Sequence, residues 1–268
     1  MNPLLDLHAH PVIGHRGASG LAPENTRESL ELALALGADA LEFDVHLAAD
    51  GTPVLMHDER LERTTGASGL VRGRTAAELA AIDAGHHFTL DAGDSFPWRG
   101  RGLGVPSLAE VLERFSETPL LIELKTVEVA IPVRALLAQH RAQERSVLAS
   151  FLDAALAPFR GGEFHVGASR RGILNLWLRS KLGLKAPEGL DELYAVPDRY
   201  AERITVPTPG FIGAARRAGR PVHVWTVDDP ARAASLWRQG VSGIVTNYPA
   251  LIRAERDRCF PAEGGKRS

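Results

Sequence analysis

Residues 13–58, IGHRGASGLAPENTRESLELALALGADALEFDVHLAADGTPVLMHD, decide the fold of this chain. A short β-type run at 12–14 leads into a loop, and Thr26 is a suitable N-cap for the following helix, which Gly37 ends. The run ALEFDV at 40–45 then predicts a second strand. Strand, helix and strand in succession are typical of a parallel βαβ unit.

A third strand is predicted at 53–57, directly after the turn that Asp50 and Gly51 favour. The link from the second strand is too short to hold a helix. For the third strand to run parallel to the second, residues 46–49 would have to descend as an extended arm before the turn. Residues 59–105 then break the rhythm, and we interpret them as an insertion that lies over one end of the fold as a lid or rim.

From Ser107 onward, helices and strands alternate again, although the pattern weakens between 182 and 207. This alternation predicts an α/β fold, a (β/α)8 TIM barrel with a small insertion after the third strand, in a single domain at 1–256. Residues 257–268 are expected to form a flexible tail. An open doubly wound sheet is the alternative architecture, but no GxGxxG motif follows the first strand.

The composition bounds the class of protein. The chain has 268 residues, 44% of them hydrophobic, and a formal net charge of −2, so it has no large basic field to attract nucleic acid or an anionic membrane. Its single cysteine, Cys259, excludes an intramolecular disulfide. We find no signal peptide and no run of about 20 apolar residues, and therefore expect a cytoplasmic protein without a transmembrane segment. The oligomeric state stays open.

Acidic side chains stand at the predicted carboxyl ends of two strands. Glu42 and Asp44 face the same way because alternate residues of a strand share a face, and Glu123 lies near the end of another strand. In a barrel, inward positions at these strand ends meet above the core. Three converging carboxylates are costly unless a cation bridges them, and oxygen ligands favour Mg²⁺ or Ca²⁺, with Mn²⁺ as a further candidate.

Basic residues stand at neighbouring strand ends. His15 ends the first strand and His57 the third, so both could exchange protons with one substrate near neutral pH. Arg16 can offer a bidentate fork to phosphate oxygens, and Lys125 adds a point charge. Each residue alone has a simpler structural interpretation, but their coincidence at strand ends favours a metal-assisted phosphodiesterase site.

Nearly the whole chain is spanned by seven short motifs: HRG (15–17), PENT (23–26), EFDV (42–45), DGTPVLMHD (50–58), IELK (122–125), VWTVDD (224–229) and GIVTNYP (243–249). With these motifs in this order, the sequence resembles the glycerophosphodiester phosphodiesterase family. The resemblance implies a (β/α)8 barrel whose insertion corresponds to residues 59–105. It also implies hydrolysis of glycerophosphodiesters to glycerol 3-phosphate and an alcohol, by attack of the substrate's own hydroxyl or of water.

The resemblance further implies roles for individual residues: metal binding for Glu42, Asp44 and Glu123; general acid and base catalysis for His15 and His57; phosphate binding for Arg16 and Lys125; bracing of the loop behind His15 for Glu24 and Asn25; and a pocket wall against the glycerol for Trp225. The implied substrate is a small-molecule glycerophosphodiester, and the implied cofactor is a divalent metal ion.

Two features depart from the family pattern. Asn247 stands where the family often has Asp, which removes a charge near the rim, so no metal role is expected there. His8 and His10 in the run DLHAH resemble the paired histidines of metal-dependent amidohydrolases, which are also barrels. That alternative requires histidines at the ends of strands five and six and an Asp at strand eight. The chain has neither the histidines nor the Asp at these positions, so the alternative fails.

Two other functions stay open. A related barrel phospholipase acting on lysophospholipids would need an apolar entrance, for which the candidates are Phe88, Phe96, Trp98, Leu176 and Trp177. A non-catalytic barrel that binds a ligand or serves as a scaffold is the third hypothesis, although every catalytic residue that the resemblance implies is present.

Overall fold

Strands and helices alternate through the computed structural model, which describes residues 2–187, 189, 191–200 and 204–261. The strands are β1 (Val12–His15), β2 (Ala40–Leu47), β3 (Pro53–Leu55), β4 (Leu120–Leu124), β5 (Ser146–Ala149), β6 (His165–Val166), β7 (Tyr194–Pro197), β8 (Arg199–Tyr200), β9 (Ile204–Thr205), β10 (Val222–Trp225) and β11 (Gly243–Thr246). The helices are α1 (Arg27–Ala35), α2 (Ala76–Ala80), α3 (Leu108–Arg114), α4 (Ala130–Gln139), α5 (Asp153–Leu156), α6 (Arg170–Lys181), α7 (Pro209–Arg217), α8 (Pro230–Arg238) and α9 (Pro249–Cys259).

Eight parallel strands form the barrel, in the order β6-β5-β4-β2-β1-β11-β10-β7. Hydrogen bonds between the two outermost strands of this order close it. Ala168 N–H donates to the Leu193 carbonyl at 2.8 Å, and Glu192 N–H donates to the Val166 carbonyl at 2.8 Å. The predicted (β/α)8 barrel is therefore confirmed, and the open doubly wound sheet is wrong.

The third strand is not one of the barrel strands. β2 continues beyond Asp44 to Leu47, and β3 pairs with this extension in antiparallel fashion. A parallel third strand after an extended arm at 46–49 does not form, because the tight turn in which Gly51 N–H donates to the Ala48 carbonyl at 3.1 Å reverses the chain. The hairpin returns the chain to the rim of the barrel and delivers His57 there.

The inside of the barrel has an apolar floor and a polar mouth. The floor consists of Leu4, Ile13, Ala40, Leu121, Val147, Leu193 and Val245. Because alternate residues of a strand face the same side, the positions two residues beyond these point toward the mouth. His15, Glu42 and Glu123 occupy such positions on β1, β2 and β4.

The segment 59–105 has a small apolar core of its own beside the β2–β3 hairpin. This core consists of Leu61, Val71, Leu79, Ala84 and Val105, together with Ala48, Val54 and Met56 of the hairpin. The segment rejoins the barrel where Leu55 N–H donates to the Pro106 carbonyl at 2.9 Å. Its position beside the hairpin brings Arg63 to the rim.

Helix α9 continues to Cys259 rather than ending near Arg256, so the beginning of the expected tail is helical. Phe260 stacks on His10, with the ring centroids 3.8 Å apart, which ties the helix end to the segment preceding β1. Residues 262–268 of that expected tail lie outside the described residues. Among the described helices, none combines the length and the apolar character needed to cross a membrane.

Candidate active site

Three carboxylates from two neighbouring strands converge at the mouth of the barrel. Glu42 and Asp44 lie on β2, and Glu123 lies directly opposite Asp44 on β4. One oxygen atom of each lies within 4.8 Å of the others, and the side chains of Glu42 and Asp44 are only 6% and 1% exposed. The strand register therefore gathers three oxygen donors at the spacing that a single divalent ion requires.

The electrostatics of the cluster differ from one carboxylate to the next. Burial raises the pKa of Glu42 well above its usual value, and the neighbouring carboxylates of Asp44 and Glu123 raise it further. Burial and Asp44 likewise raise the pKa of Glu123. Burial would also raise the pKa of Asp44, but the cations Lys125 and Arg16 outweigh it and hold that pKa below its usual value. A divalent cation would relieve the repulsion that remains.

Lys125 bridges two members of this cluster. Its Nζ lies 3.2 Å from Asp44 Oδ1 and 3.0 Å from Glu123 Oε1. Burial would lower the pKa of Lys125, but the two carboxylates outweigh it and raise the pKa. Lys125 therefore supplies a fixed positive charge beside the cavity.

Arg16 is held in place by a left-handed turn. Its φ angle is 52°, and its backbone N–H donates to Glu42 Oε2 at 2.9 Å. The following Gly17 has φ 88°, and a Cβ built there would lie 2.4 Å from the backbone of Ser29, so only glycine fits. The Arg16 guanidinium donates from Nη1 to Glu24 Oε1 at 2.8 Å, and its Nε lies 3.1 Å from Asp44 Oδ2 without the angle of a hydrogen bond.

Asn25 braces the acidic strand and the Arg16 turn together. Its Nδ2 donates to Asp44 Oδ2 at 3.0 Å, and Asp44 N–H donates back to its Oδ1 at 3.1 Å. The Asn25 N–H also donates to the Arg16 carbonyl at 3.0 Å. The next residue, Thr26, caps helix α1 as the sequence predicts, accepting a hydrogen bond from Ser29 N–H. The PENT segment therefore links helix α1 to the site.

His15 is backed by a neutral amide. Its Nδ1 donates to Asn247 Oδ1 at 2.7 Å. Two further hydrogen bonds define that amide's orientation: Ser19 Oγ donates to Oδ1 at 2.6 Å, and Nδ2 donates to Asp228 Oδ2 at 2.7 Å. Burial and the adjacent Arg16 lower the pKa of His15. His15 is therefore a neutral ring with its proton on Nδ1, and Nε2 is left available to the cavity.

His57 is backed by a carboxylate instead. Its Nδ1 donates to Asp58 Oδ1 at 2.6 Å, and Asp58 in turn accepts from Arg63 Nε at 2.5 Å. Burial would raise the pKa of Asp58, but its hydrogen bonds from Arg63 and His57 lower it to about 2. Arg63 also donates to both oxygens of Glu24, at 2.7 and 2.8 Å. A continuous series of ion pairs thus runs from Asp58 through Arg63 and Glu24 to Arg16, and His57 is hydrogen-bonded to its first member.

One cavity joins these groups to an apolar wall. Its polar lining includes His15, Arg16, Glu42, His57, Glu123 and Lys125. Its apolar lining includes Phe151, Ile173 and Trp225, and the rings of Phe151 and Trp225 meet edge-on with their centroids 6.0 Å apart. Asp44 lies beneath this surface, almost fully buried. The cavity therefore presents charged groups and an apolar wall to the same ligand.

The residues that the sequence suggested for an apolar entrance do not line this cavity. The lining residues of this cavity among the described residues do not include Phe88, Phe96, Trp98, Leu176 or Trp177. Leu176 is fully buried in the apolar core instead. His8 and His10 lie before β1, at the barrel end opposite the cavity, so the histidine pair on which the amidohydrolase alternative rests is not in the site.

Comparison with known proteins agrees with this geometry. The profile of the Glycerophosphoryl diester phosphodiesterase family matches residues 15–160 and 185–251. The chain belongs to this family. Among its phosphodiesterase relatives, the glycerophosphodiester phosphodiesterase of Caldanaerobacter subterraneus is 31% identical over 252 residues, which cover 90% of this chain and 95% of the relative. The glycerophosphodiester phosphodiesterase of Bacillus subtilis is 30% identical over 260 residues, which cover 90% of this chain and 84% of the relative.

A solved phosphodiesterase structure has the same fold. The Oleispira antarctica phosphodiesterase, solved in complex with the product sn-glycerol-3-phosphate, is 29% identical to this chain with a TM-score of 0.72. The match covers 92% of this chain and 96% of that structure.

Sequence reasoning missed several residues of this phosphodiesterase site. Phe151 could have been found, because it continues the inward series of Val147 and Ala149 in steps of two. Arg63 and Asp228 carry weaker signals, since each stands in a charged loop whose partners only the folded barrel brings close. Their contacts cross the boundaries between separate βα units.

Proposed function

We propose that this chain hydrolyses glycerophosphodiesters to glycerol 3-phosphate and an alcohol in the cavity at the barrel mouth. The observation that carries the proposal is the cluster of Glu42, Asp44 and Glu123, whose oxygens converge within 4.8 Å at the wall of a cavity that both histidines line. The names of the relatives and the sn-glycerol-3-phosphate in the neighbouring structure support this substrate class.

The three carboxylates would hold a divalent cation, Mg²⁺ or Ca²⁺ with Mn²⁺ as a further candidate. An all-oxygen donor set fits these hard ions, and the pKa of Glu42 is raised first by burial and then by repulsion from Asp44 and Glu123, a repulsion that such an ion offsets. When bound, the ion supplies positive charge to the phosphate oxygens.

The two histidines divide the proton transfers. His15, neutral and protonated on Nδ1, accepts at Nε2 the proton of the attacking hydroxyl, whether of the substrate or of water. Attack by water gives glycerol 3-phosphate directly, whereas attack by the substrate's own hydroxyl gives a cyclic phosphate that a water molecule then opens. His57 delivers a proton from Nε2 to the departing alcohol oxygen, and the Asp58 carboxylate on its Nδ1 stabilises the charged ring. The opposite backing groups, an amide and a carboxylate, suit the two rings to these opposite tasks.

Arg16 and Lys125 bind the phosphate in this proposal. Both guanidinium and ammonium groups line the cavity beside the acidic cluster, where they offset charge that develops on the phosphoryl oxygens. Trp225 and Phe151 form the wall against the glycerol and the alcohol group.

A lysophospholipid is the second candidate substrate. Phe151 is 47% exposed and its neighbour Leu152 is 43% exposed, so the cavity has an apolar border on one side. Comparing turnover of glycerophosphocholine with that of a long-chain lysophosphatidylcholine distinguishes the two candidates. A preference for the long-chain substrate would make the lysophospholipid reaction the main one.

The test of the proposed function is release of sn-glycerol 3-phosphate from glycerophosphocholine. We expect release that EDTA abolishes and that Mg²⁺, Ca²⁺ or Mn²⁺ restores, and a loss of kcat of at least roughly a hundredfold in His15→Ala and His57→Ala. His8→Ala, at the opposite end of the barrel, is the matched control and should retain activity. Turnover that survives EDTA or His57→Ala would contradict the proposal.

A further inference from the structure

Helix α6 and the loop after it expose an unusual row of leucines. Leu174, Leu178, Leu182 and Leu184 are 55%, 51%, 75% and 45% exposed. The first three follow one another at intervals of four, so they lie along one side of the helix. Leu176, by contrast, is fully buried on the side that faces the barrel. The leucine row is therefore additional to the face with which α6 packs.

Cations accompany this leucine row. Residues 170–185 contain five basic and no acidic side chains: Arg170, Arg171, Arg179, Lys181 and Lys185. Within the described part of the chain, none of the five forms an ion pair, and their contacts include the Tyr200 hydroxyl, the Lys185 carbonyl and the ring of Trp177. The carboxylates near the first turn, Asp153 and Asp191, are paired with Arg160. The segment is therefore a positively charged apolar surface.

The first turn of α6 lies at the cavity, and its last turn packs against the first turn of α7. Ile173, in the first turn, lines the cavity together with Phe151. Near the other end, the Ser180 carbonyl would lie 3.5 Å from a Cβ built on Gly210, which belongs to the first turn of α7. Helix α7 starts after β7, at the carboxyl ends of the barrel strands. The leucine row thus extends beside the catalytic end of the barrel.

We propose that this face of α6 docks the protein onto the surface of an anionic phospholipid bilayer. A row of leucines flanked by lysine and arginine, with no acidic residue, matches a surface whose interior is apolar and whose headgroups are negative. The exposed Phe151 and Leu152 continue the apolar surface to the cavity. The formal net charge of −2 for the whole chain hides this local concentration, which is why composition alone indicated no membrane partner.

Docking in this orientation brings the cavity mouth to the lipid surface, where glycerophosphodiesters and lysophospholipids arise from phospholipids. That consequence rests on the proposed function. The docking itself does not, and it is measured without turnover.

The test is co-sedimentation of the purified full chain with vesicles, without substrate. One set of vesicles is phosphatidylcholine, and the other contains about one-third phosphatidylglycerol. We expect binding to the anionic vesicles that is roughly tenfold stronger than to the neutral ones and that falls as salt is raised. Leu174→Asn/Leu178→Asn and Arg171→Gln/Lys181→Gln should each lose most of it. Ile131→Asn, on the exposed side of α4 and 63% exposed in the wild-type chain, is the matched control.

Melting temperatures identify any variant that fails to fold, and the charge variant then tests the proposal independently of the leucine variant. Equal binding to neutral and anionic vesicles, or wild-type binding by folded Leu174→Asn/Leu178→Asn, would overturn the proposal. So would a dimer in sedimentation velocity without vesicles that the leucine variant dissociates, because the face would then be an interface between two copies.

Discussion

The two histidines of the site have different partners, and this difference organises the chemistry at the scale of single residues. Asn247 contacts His15 with an amide oxygen, while Asp58 contacts His57 with a carboxylate. On the His15 side the corresponding carboxylate is not hydrogen-bonded to the ring. It belongs to Asp228, which accepts a hydrogen bond from the amide of Asn247. Asn247 is therefore a positioning residue that fixes the Nδ1–H form of His15 without adding charge.

Placing the negative charge in direct contact with His15 should change the pH dependence of catalysis. In Asn247→Asp/Asp228→Asn, a carboxylate contacts His15 Nδ1 and stabilises the imidazolium, so the pKa of His15 rises from its lowered value. In the proposed mechanism His15 must be neutral to accept a proton, so the acidic limb of the kcat/KM profile should move to higher pH, by about one unit.

The single variants serve as controls for this exchange. Asp228→Asn alone sets an amide donor against the Asn247 donors that Asp228 accepts from, so its melting temperature should be lower than that of the double variant. Asn247→Asp alone puts a carboxylate where Nδ2 lay 2.7 Å from Asp228 Oδ2, so its melting temperature should fall. An acidic limb that coincides with wild type in the double variant would show that Asn247 does not set the protonation of His15.

At the scale of elements, strand periodicity predicted which side chains face the site, but it did not predict the direction of β3. Alternation on β2 and β4 placed Glu42, Asp44, Glu123 and Lys125 on the inward side, and the structure brings these four together. The direction of β3 was not predictable from its own residues, because it depends on how far β2 extends beyond the barrel rim. Capping was predictable at Ser107, which forms a capping box with Glu110.

A buried histidine of β10 supports the floor of the barrel and should make stability depend on pH. His223 is fully buried, and its Nε2 donates to the Leu4 carbonyl at 2.8 Å. Burial lowers its pKa from 6.5 to about 4. The unfolded chain therefore binds a proton first as pH falls, and the stabilisation present above pH 6.5 is lost toward about pH 4, by about 3 kcal/mol.

Denaturant unfolding of His223→Gln between pH 7 and about pH 4 checks this prediction. The glutamine keeps a donor for Leu4 but does not titrate, so this variant should lose less stability on acidification than wild type. His8→Gln, exposed at the same end of the barrel, should follow the wild-type curve. Equal losses in wild type and His223→Gln would exclude His223 as the source of the pH dependence.

At the scale of the whole molecule, barrel closure brings together residues that are far apart in sequence. The fold and the cluster of three carboxylates were predictable, because βα alternation and strand-end polarity are local patterns. The contacts of Asn247 with His15 and of Arg63 with Glu24 were not, because they depend on the juxtaposition of different βα units. The leucine row of α6 and the basic residues beside it were not predicted for another reason. The net charge of the whole chain does not show a local excess of positive charge.

The central claim is that Glu42, Asp44 and Glu123 form one divalent-cation site. Its most direct test is a calorimetric titration of the metal-free protein with Mn²⁺. We expect one ion per chain, with an affinity that weakens as pH falls, because Glu42 has a raised pKa and must lose its proton to bind the ion. Glu123→Gln should weaken binding by more than about tenfold, whereas Glu113→Gln, on the exposed side of α3, should not. An absence of saturable binding, or Glu123→Gln that binds as wild type does, would contradict the account.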